Sequence, residues 1–327
     1  MSSMRAVLRD RYGPIHALRV EEVERPVPGE GEALVRVQAS SLNRADLHSV
    51  TGMPRLARIG IGMTGPRFPL IGLDVAGTVE EVGGNVRGLA PGDEVWADLS
   101  PVGSGAFADY VCAAEGIFSP RPAKIGFEEA ATMPHSAILA LQGLRAWGRP
   151  ISPGHQVLIN GAGGCVGPFA VRIAKSHGAE VTGVDSTAKM DLLRAVGADH
   201  VVDFTREDVT RNGVSYDRIL DIATHRSVFD FRRSLTPDGT YSMIADGLGD
   251  LFGAAIFGSL FSIRTGRRMG IAPWKPNDRD GLAHLSDLAN QGVLEPVIDR
   301  RIGLEEVPIA LLDLQQGRTL GKVVVGI

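Results

Sequence analysis

One stretch constrains this chain more than any other: VLINGAGGCVGPFAVRIAKSHGAEVTGVD, Val157 to Asp185. An apolar strand runs straight into Gly161, Gly163, Gly164 and Gly167, an amphipathic helix follows at once, and a second strand ends on an acid. Glycine permits the tight turn and lets backbone approach a bulky anion, while free N–H groups at the helix N-terminus supply the opposing partial charge. The segment reads as a diphosphate-binding turn made by Gly161, Ala162, Gly163, Gly164, Cys165, Val166 and Gly167, with Gly167 allowing close helix–strand packing. The bland alternative is a βα turn that binds nothing.

Asp185 lies eighteen positions beyond Gly167. An acid there can hydrogen-bond both ribose hydroxyls of NAD and would repel a 2′-phosphate. Ser186, Thr187 and Lys189 follow it directly and could instead hold the phosphate of NADP. The balance favours NAD. Alternatively, Asp185 caps the next helix, a task Ser186 or Thr187 would do equally well.

The rest of the chain organises around this unit. Strand candidates at 156–160, 180–184, 200–204, 216–223 and 240–245 alternate with helical stretches, which predicts βαβ units and a parallel sheet. Before them the texture is β-rich: ALVRVQAS (33–40) alternates apolar and polar, and 74–83 and 93–99 behave similarly between turn clusters. The stretch 128–147 is helical in period but carries Pro134, which should break or kink it. After residue 245 come an apolar segment, a helix at 282–290 and a last strand, KVVVGI, that rejoins the first domain. Two domains follow: residues 1–121 with 273–327, and 122–272. A length of 327 residues suits that division.

Composition removes several classes. A net charge of −4 argues against a chain devoted to nucleic-acid backbones. Cys112 and Cys165 are the only cysteines, too few for a disulfide framework, so a cytoplasmic setting is expected. The N-terminus lacks the apolar core of a signal peptide. The longest apolar run, Leu251 to Ile263, is shorter than the ~20 residues that span a bilayer. It reads as a buried or subunit-facing segment, with surface membrane contact a minor alternative.

Taken together, SSLNRADLHSVTG (40–52), GLDVAGTVEEVG (72–83), PGDEVW (91–96), GAFADYV (105–111), the glycine-rich turn, GADHVVDF (197–204) and GKVVV (321–325) resemble the medium-chain dehydrogenase/reductase superfamily, in its zinc-less quinone-oxidoreductase-like branch. The resemblance implies an α/β protein: a GroES-like β-barrel catalytic domain joined to a doubly wound Rossmann domain, with the cofactor in the cleft between them and commonly a homodimer. Departures are informative. The zinc enzymes of the superfamily use a Cys where this chain has Asn43 and a His where it has Leu73, with Asp74 replacing the neighbouring Glu. Leucine cannot ligate a metal, and two cysteines cannot close a four-Cys lobe. The expectation is a metal-free enzyme; a site improvised from Asp46, His48 and Asp74 is the lesser possibility.

Without a Lewis acid, oxidation of a simple alcohol is poorly supported. Hydride delivery from NAD(P)H to a quinone or other conjugated carbonyl is easier, because the acceptor stabilises its own charge. An enoyl-thioester reductase is a second reading, and a nucleotide-binding protein of this fold with little turnover a third. Asn43 should face cofactor or substrate, or else form an Asx turn. His48 matches the proton-relay histidine of the zinc enzymes, although Ala45 replaces the hydroxyl that would link it to substrate; otherwise it is a surface or capping histidine. Asp46 and Asp74 should brace the site, and Lys322 either reaches the cofactor or is a solvated charge before an edge strand. Arg55, Arg58 and Arg67 could border the substrate entrance.

Overall fold

The computed structural model describes residues 2–55, 58–223, 226–244 and 266–327. They form two compact units, Met1–Ile138 with Pro276–Ile327, and Leu139–Lys275. The apolar segment 251–263 and the end of the 240–245 strand lie outside the described residues. Sequence texture placed the joints near residues 121 and 272. The helical stretch in fact starts within the first unit, because α3 (Phe127–Ala130) packs on strands of that unit, and the crossing falls inside α4 (Ser136–Leu144). Pro134 lies in the break between the two helices, as its missing N–H demands.

The first unit is built on β1 (Ser3–Leu8), β2 (Arg19–Glu24), β3 (Glu32–Ser41), β4 (Asp74–Val82), β5 (Glu94–Asp98), β6 (Tyr110–Ala114) and β7 (Ser119–Pro120). The helix α1 (Arg44–Thr51) follows β3 after a two-residue link, and α2 (Arg58–Ile61) follows it. Strands β14 (Ile298–Ile302) and β15 (Lys322–Gly326) return to the same sheet, whose order is β14-β15-β3-β4-β5-β7 with β6 also on β3. All its pairs are antiparallel except β14 with β15. Val35, Val37, Val75, Val95, Ala97 and Leu99 are buried among its core residues. KVVVGI is therefore an internal strand and not an edge: β15 is bracketed by β14 and β3, and Val323, Val324 and Val325 are all buried. That explains a continuous apolar run where an edge strand would alternate.

The second unit holds a six-stranded sheet made of β8 (Gln156–Asn160), β9 (Glu180–Asp185), β10 (His200–Asp203), β11 (Tyr216–Asp221), β12 (Leu235–Met243) and β13 (Arg268–Ile271). The order is β10-β9-β8-β11-β12-β13, parallel throughout. Sequence order reverses direction between β8 and β11, and in open α/β sheets ligands bind outside the strand carboxyl ends at such a point. Both strands end there in polar side chains that meet: Asn160 Nδ2 donates to Asp221 Oδ1 at 2.7 Å, and the Tyr241 hydroxyl donates to Asp221 Oδ2 at 2.7 Å.

The turn after β8 leads into α5 (Gly167–Ser176). Gly161 takes φ +86°, the left-handed region that glycine enters without strain. At Gly167 the requirement is space: an added Cβ would sit 2.3 Å from both the carbonyl carbon and oxygen of Ala162. We expect Gly167→Ala to lower stability by roughly 2–3 kcal/mol, as overpacking against rigid backbone does. Thermal unfolding beside the wild type checks this, and an unchanged midpoint would show that the helix can retreat.

Candidate active site

In the second unit the glycine-rich turn is held from one side by Asp185. Its Oδ2 accepts the Gly163 N–H at 2.8 Å, its Oδ1 accepts the Ser186 N–H at 2.9 Å, and Lys189 Nζ stands 3.8 Å from Oδ1. Asp185 as a residue is only 8% exposed. It thus binds the turn to the end of β9. Thr187 gives its hydroxyl to Asp203 on β10, so it is committed within the unit. Lys189 is buried and Ser186 half-buried.

The turn has the features a diphosphate needs. The N-cap position of α5, Val166, makes no side-chain capping hydrogen bond, and Pro168 occupies the first turn, where a missing N–H costs nothing. A Cβ built on Gly164 meets Gly161 O at 3.7 Å, an ordinary van der Waals contact, so a side chain there would meet no backbone clash. Cys165 is half-buried.

In the first unit the sequence motifs converge on a buried polar cluster. Lys322, the first residue of β15, is 1% exposed, and its ammonium donates to Asn43 Oδ1 at 2.6 Å, Asp74 Oδ2 at 3.1 Å and Ser136 Oγ at 3.2 Å. Asn43 Nδ2 donates to the same Asp74 oxygen at 2.8 Å, and Ser136 Oγ donates to Asn43 Oδ1 at 3.0 Å. Asp74 Oδ1 accepts the His135 N–H at 2.8 Å. Asn43 is 1% exposed, with both ends of its amide engaged. Its amide meets Lys322 and Ser136 at the oxygen and Asp74 and the Ser41 carbonyl at the nitrogen. Lys322 is no solvated charge; a buried ammonium needs three acceptors, and it has three.

Asn43 also starts α1, and Asp46, three residues on, accepts the Asn43 N–H through Oδ2 at 2.7 Å, half of a capping box. Asp46 Oδ1 is buried without a hydrogen-bond partner among the described residues. Burial pushes the Asp46 carboxyl up to about 7, and the charge of Asp74 adds to the rise; the Asn43 N–H, His135 and Lys322 act the other way. His48 is not part of the cluster. It is half-buried on α1 with Nδ1 2.5 Å from Met53 O, so that nitrogen carries the hydrogen and points at backbone.

Sequence reasoning missed His135. Its Nδ1 lies 2.8 Å from Asp98 Oδ2, and Asp98 is fixed in turn by the Ser100 N–H at 2.8 Å and the Asn277 amide. Burial by itself would lower the imidazole, but the charge and hydrogen bond of Asp98, with Asp74, hold it above its usual value. The only signal was a histidine directly after Pro134 in an otherwise apolar run. Among the described residues no three His, Cys, Asp or Glu side chains come together as a metal-binding group.

Comparison with known proteins matches these features to a family. Residues 29–123 fit the model described as "Alcohol dehydrogenase GroES-like domain", and 196–325 the one described as "Zinc-binding dehydrogenase". The chain is 30% identical over 98% of its length to a chloroplastic quinone-oxidoreductase QR1 of Triphysaria versicolor, covering 98% of it. It is 29% identical over 99% of its length to the mitochondrial NAD(P)H oxidoreductase RTN4IP1 of Mus musculus, covering 89% of it. Among solved structures, the quinone oxidoreductase of Coxiella burnetii superposes with a TM-score of 0.87 at 25% identity over 100% of both chains. The JamJ enoyl reductase gives 0.84 at 26% over 99% of both. The chain belongs to the medium-chain dehydrogenase/reductase superfamily, in its quinone-oxidoreductase-like branch. It is an α/β oxidoreductase with a GroES-like domain and a parallel-sheet Rossmann-like domain. Among the described residues no helix is long and apolar enough to cross a membrane.

The two titrating groups make stability depend on pH with one sign. A carboxyl raised to about 7 keeps its proton in the fold, so its contribution is complete below the unfolded value near ~4 and is lost as pH climbs to about 7. The raised His135 adds a loss that begins near its ordinary ~6.5 and ends above it. The Asp46 shift corresponds to roughly 4 kcal/mol as an upper bound. Asp46→Asn removes the acid part, so urea unfolding between pH 4 and 7 should show the variant gaining on the wild type as pH rises. Parallel curves would mean that Asp46 is ionised in the fold.

Proposed function

We propose that this protein is an NAD(P)H-dependent reductase of quinones or other conjugated carbonyls, working without a catalytic metal. The observation that carries the reading is the glycine-rich turn at the β8/β11 switch point, with no clash awaiting a side chain at Gly164 and an uncapped helix behind it. Backbone of Gly161, Ala162, Gly163, Gly164, Cys165, Val166 and Gly167 would hold the diphosphate. The bound nicotinamide nucleotide supplies the hydride. The names of the relatives, a quinone-oxidoreductase and an NAD(P)H oxidoreductase, support both acceptor and donor classes.

The chain's own residues then have three tasks. Asp185 fixes the turn and offers its carboxylate to the ribose, which favours NADH; Lys189 beside it, with Ser186, offsets part of the charge and keeps NADPH usable. Lys322, Asp74 and Asn43 hold α1 and β15 in register as positioning residues, which gives Asn43 its importance without contact to substrate. His48, as an imidazolium whose Nδ1–H is held by Met53 O, is assigned the role of proton donor to the reduced oxygen through its Nε2–H. Independence from zinc rests on side-chain chemistry: Leu73 has no donor atom and the Asn43 amide is already spent. A homodimer and a cytoplasmic setting complete the proposal. The resemblance to an enoyl reductase keeps enoyl thioesters as a second acceptor class.

Purified protein mixed with NADH or NADPH and a panel of quinones, enones and enoyl thioesters should oxidise the nucleotide with quinones or enones. Thioester-only turnover would select the second class, and nucleotide binding without turnover would remove the enzymatic reading. Gly164→Asp has room to fold, yet should lose nucleotide affinity at least ~100-fold because it sets a charge against the diphosphate. Asp185→Ser should shift preference toward NADPH and weaken both nucleotides by loosening Gly163; an unaltered NADH/NADPH ratio would take Asp185 away from the ribose.

A further inference from the structure

Three exposed apolar side chains of the first unit rise from one small knot around Tyr12. The Tyr12 hydroxyl donates to Gly62 O at 2.7 Å, the Arg58 guanidinium lies over the Tyr12 ring at 4.7 Å, and Arg58 Nε donates to Gly52 O at 3.0 Å. Gly52 itself passes so close to the ring that an added Cβ would sit 2.6 Å from Tyr12 Cγ. Gly52, Arg58 and Gly62 are thus gathered round one side chain. Each is followed in sequence by an apolar residue that faces solvent: Met53, Ile59 and Met63, at 53%, 69% and 65% exposure. Consecutive Cα atoms are only ~3.8 Å apart, so the three project from the same surface region.

The ground around them is cationic. From Leu47 to Leu73 the sequence has no Asp or Glu and three arginines. Arg55 and Arg67 are exposed, and the Arg67 N–H on Ile61 O at 2.8 Å keeps that residue beside the knot. Arg11, next to Tyr12, is exposed as well, while Asp10 is paired with Arg19 at 2.8 Å. Three side chains fall far short of the ~800 Å² that each partner of a stable protein complex buries. A bilayer asks for less, because a few apolar side chains entering the headgroup region act together with each cation near an anionic surface.

We propose that this face docks on an anionic lipid bilayer, with Met53, Ile59 and Met63 entering the boundary between headgroups and acyl chains and the arginines meeting the lipid charges. Met53 O is also the group that holds His48 Nδ1 at 2.5 Å, so the docked face adjoins the candidate proton donor.

The full chain, sedimented with vesicles of phosphatidylcholine mixed with phosphatidylserine, should bind them and be released as sodium chloride is raised. Vesicles of phosphatidylcholine alone should bind at least ~10-fold more weakly. Arg55→Gln with Arg67→Gln should lower the partition coefficient about tenfold, through the loss of two surface cations. Ile59→Ser with Met63→Ser should lower it about tenfold as well, through lost apolar insertion. All four positions are exposed, so thermal midpoints should match the wild type. Absence of binding to the mixed vesicles, equal binding to phosphatidylcholine alone, or a variant pair that binds as the wild type does overturns the proposal. So does a chain that ignores vesicles but loses self-association in the serine pair, since a second copy would then be the occupant. Binding is read without nucleotide, so its failure leaves the reductase reading where it stands.

Discussion

The first unit hangs on an ammonium group that has no access to water. Lys322 meets Asn43, Asp74 and Ser136, residues 279, 248 and 186 positions away in the chain. Desolvating a cation is costly unless its attraction to a carboxylate and its remaining hydrogen bonds are all realised. Here they are, so the ammonium specifies one arrangement of β15, β4, the start of α1 and the start of α4. Removing any partner would leave a buried charge uncompensated, which is why these four segments hold their register together. The His135–Asp98 pair repeats the device next door, tied to the first by the His135 N–H on Asp74.

The second unit uses a different constraint. A parallel sheet places every strand's carboxyl end on one edge, and the reversal of order between β8 and β11 opens a crevice there. Asp221 braces that edge by taking hydrogen bonds from Asn160 and Tyr241. Asp185 holds the glycine-rich turn beside it by gripping Gly163. A turn pre-set in this way has less ordering entropy to lose when an anion docks on it.

Much of this was legible in the residues. The turn, its flanking strands, the alternation of strand and helix, and the break at Pro134 all follow from local rules about backbone geometry and periodicity. Long-range placement was not. The valines of KVVVGI carry no sign that strands bracket them on both sides, so Lys322 could be read equally as reaching the cofactor or as a solvated charge. His135 was hidden because one histidine in an apolar stretch is compatible with many environments, and only the fold brings Asp98 to it. Asp185 was singled out by its spacing, but its grip on Gly163 depends on how the end of β9 lies beside the turn. Composition also cannot tell which sheet an apolar helix will cover.

The first unit is discontinuous: β14 and β15 come after all of residues 139–275. During synthesis the parallel sheet of the second unit is therefore complete, and free to fold, before the ribosome has made the strand that carries Lys322. Until then Asp74 and Asn43 wait beside the uncovered edge of β3. Nascent chains should pass through a stage in which one half is native and the other exposes sheet edge, the kind of species that chaperones recognise.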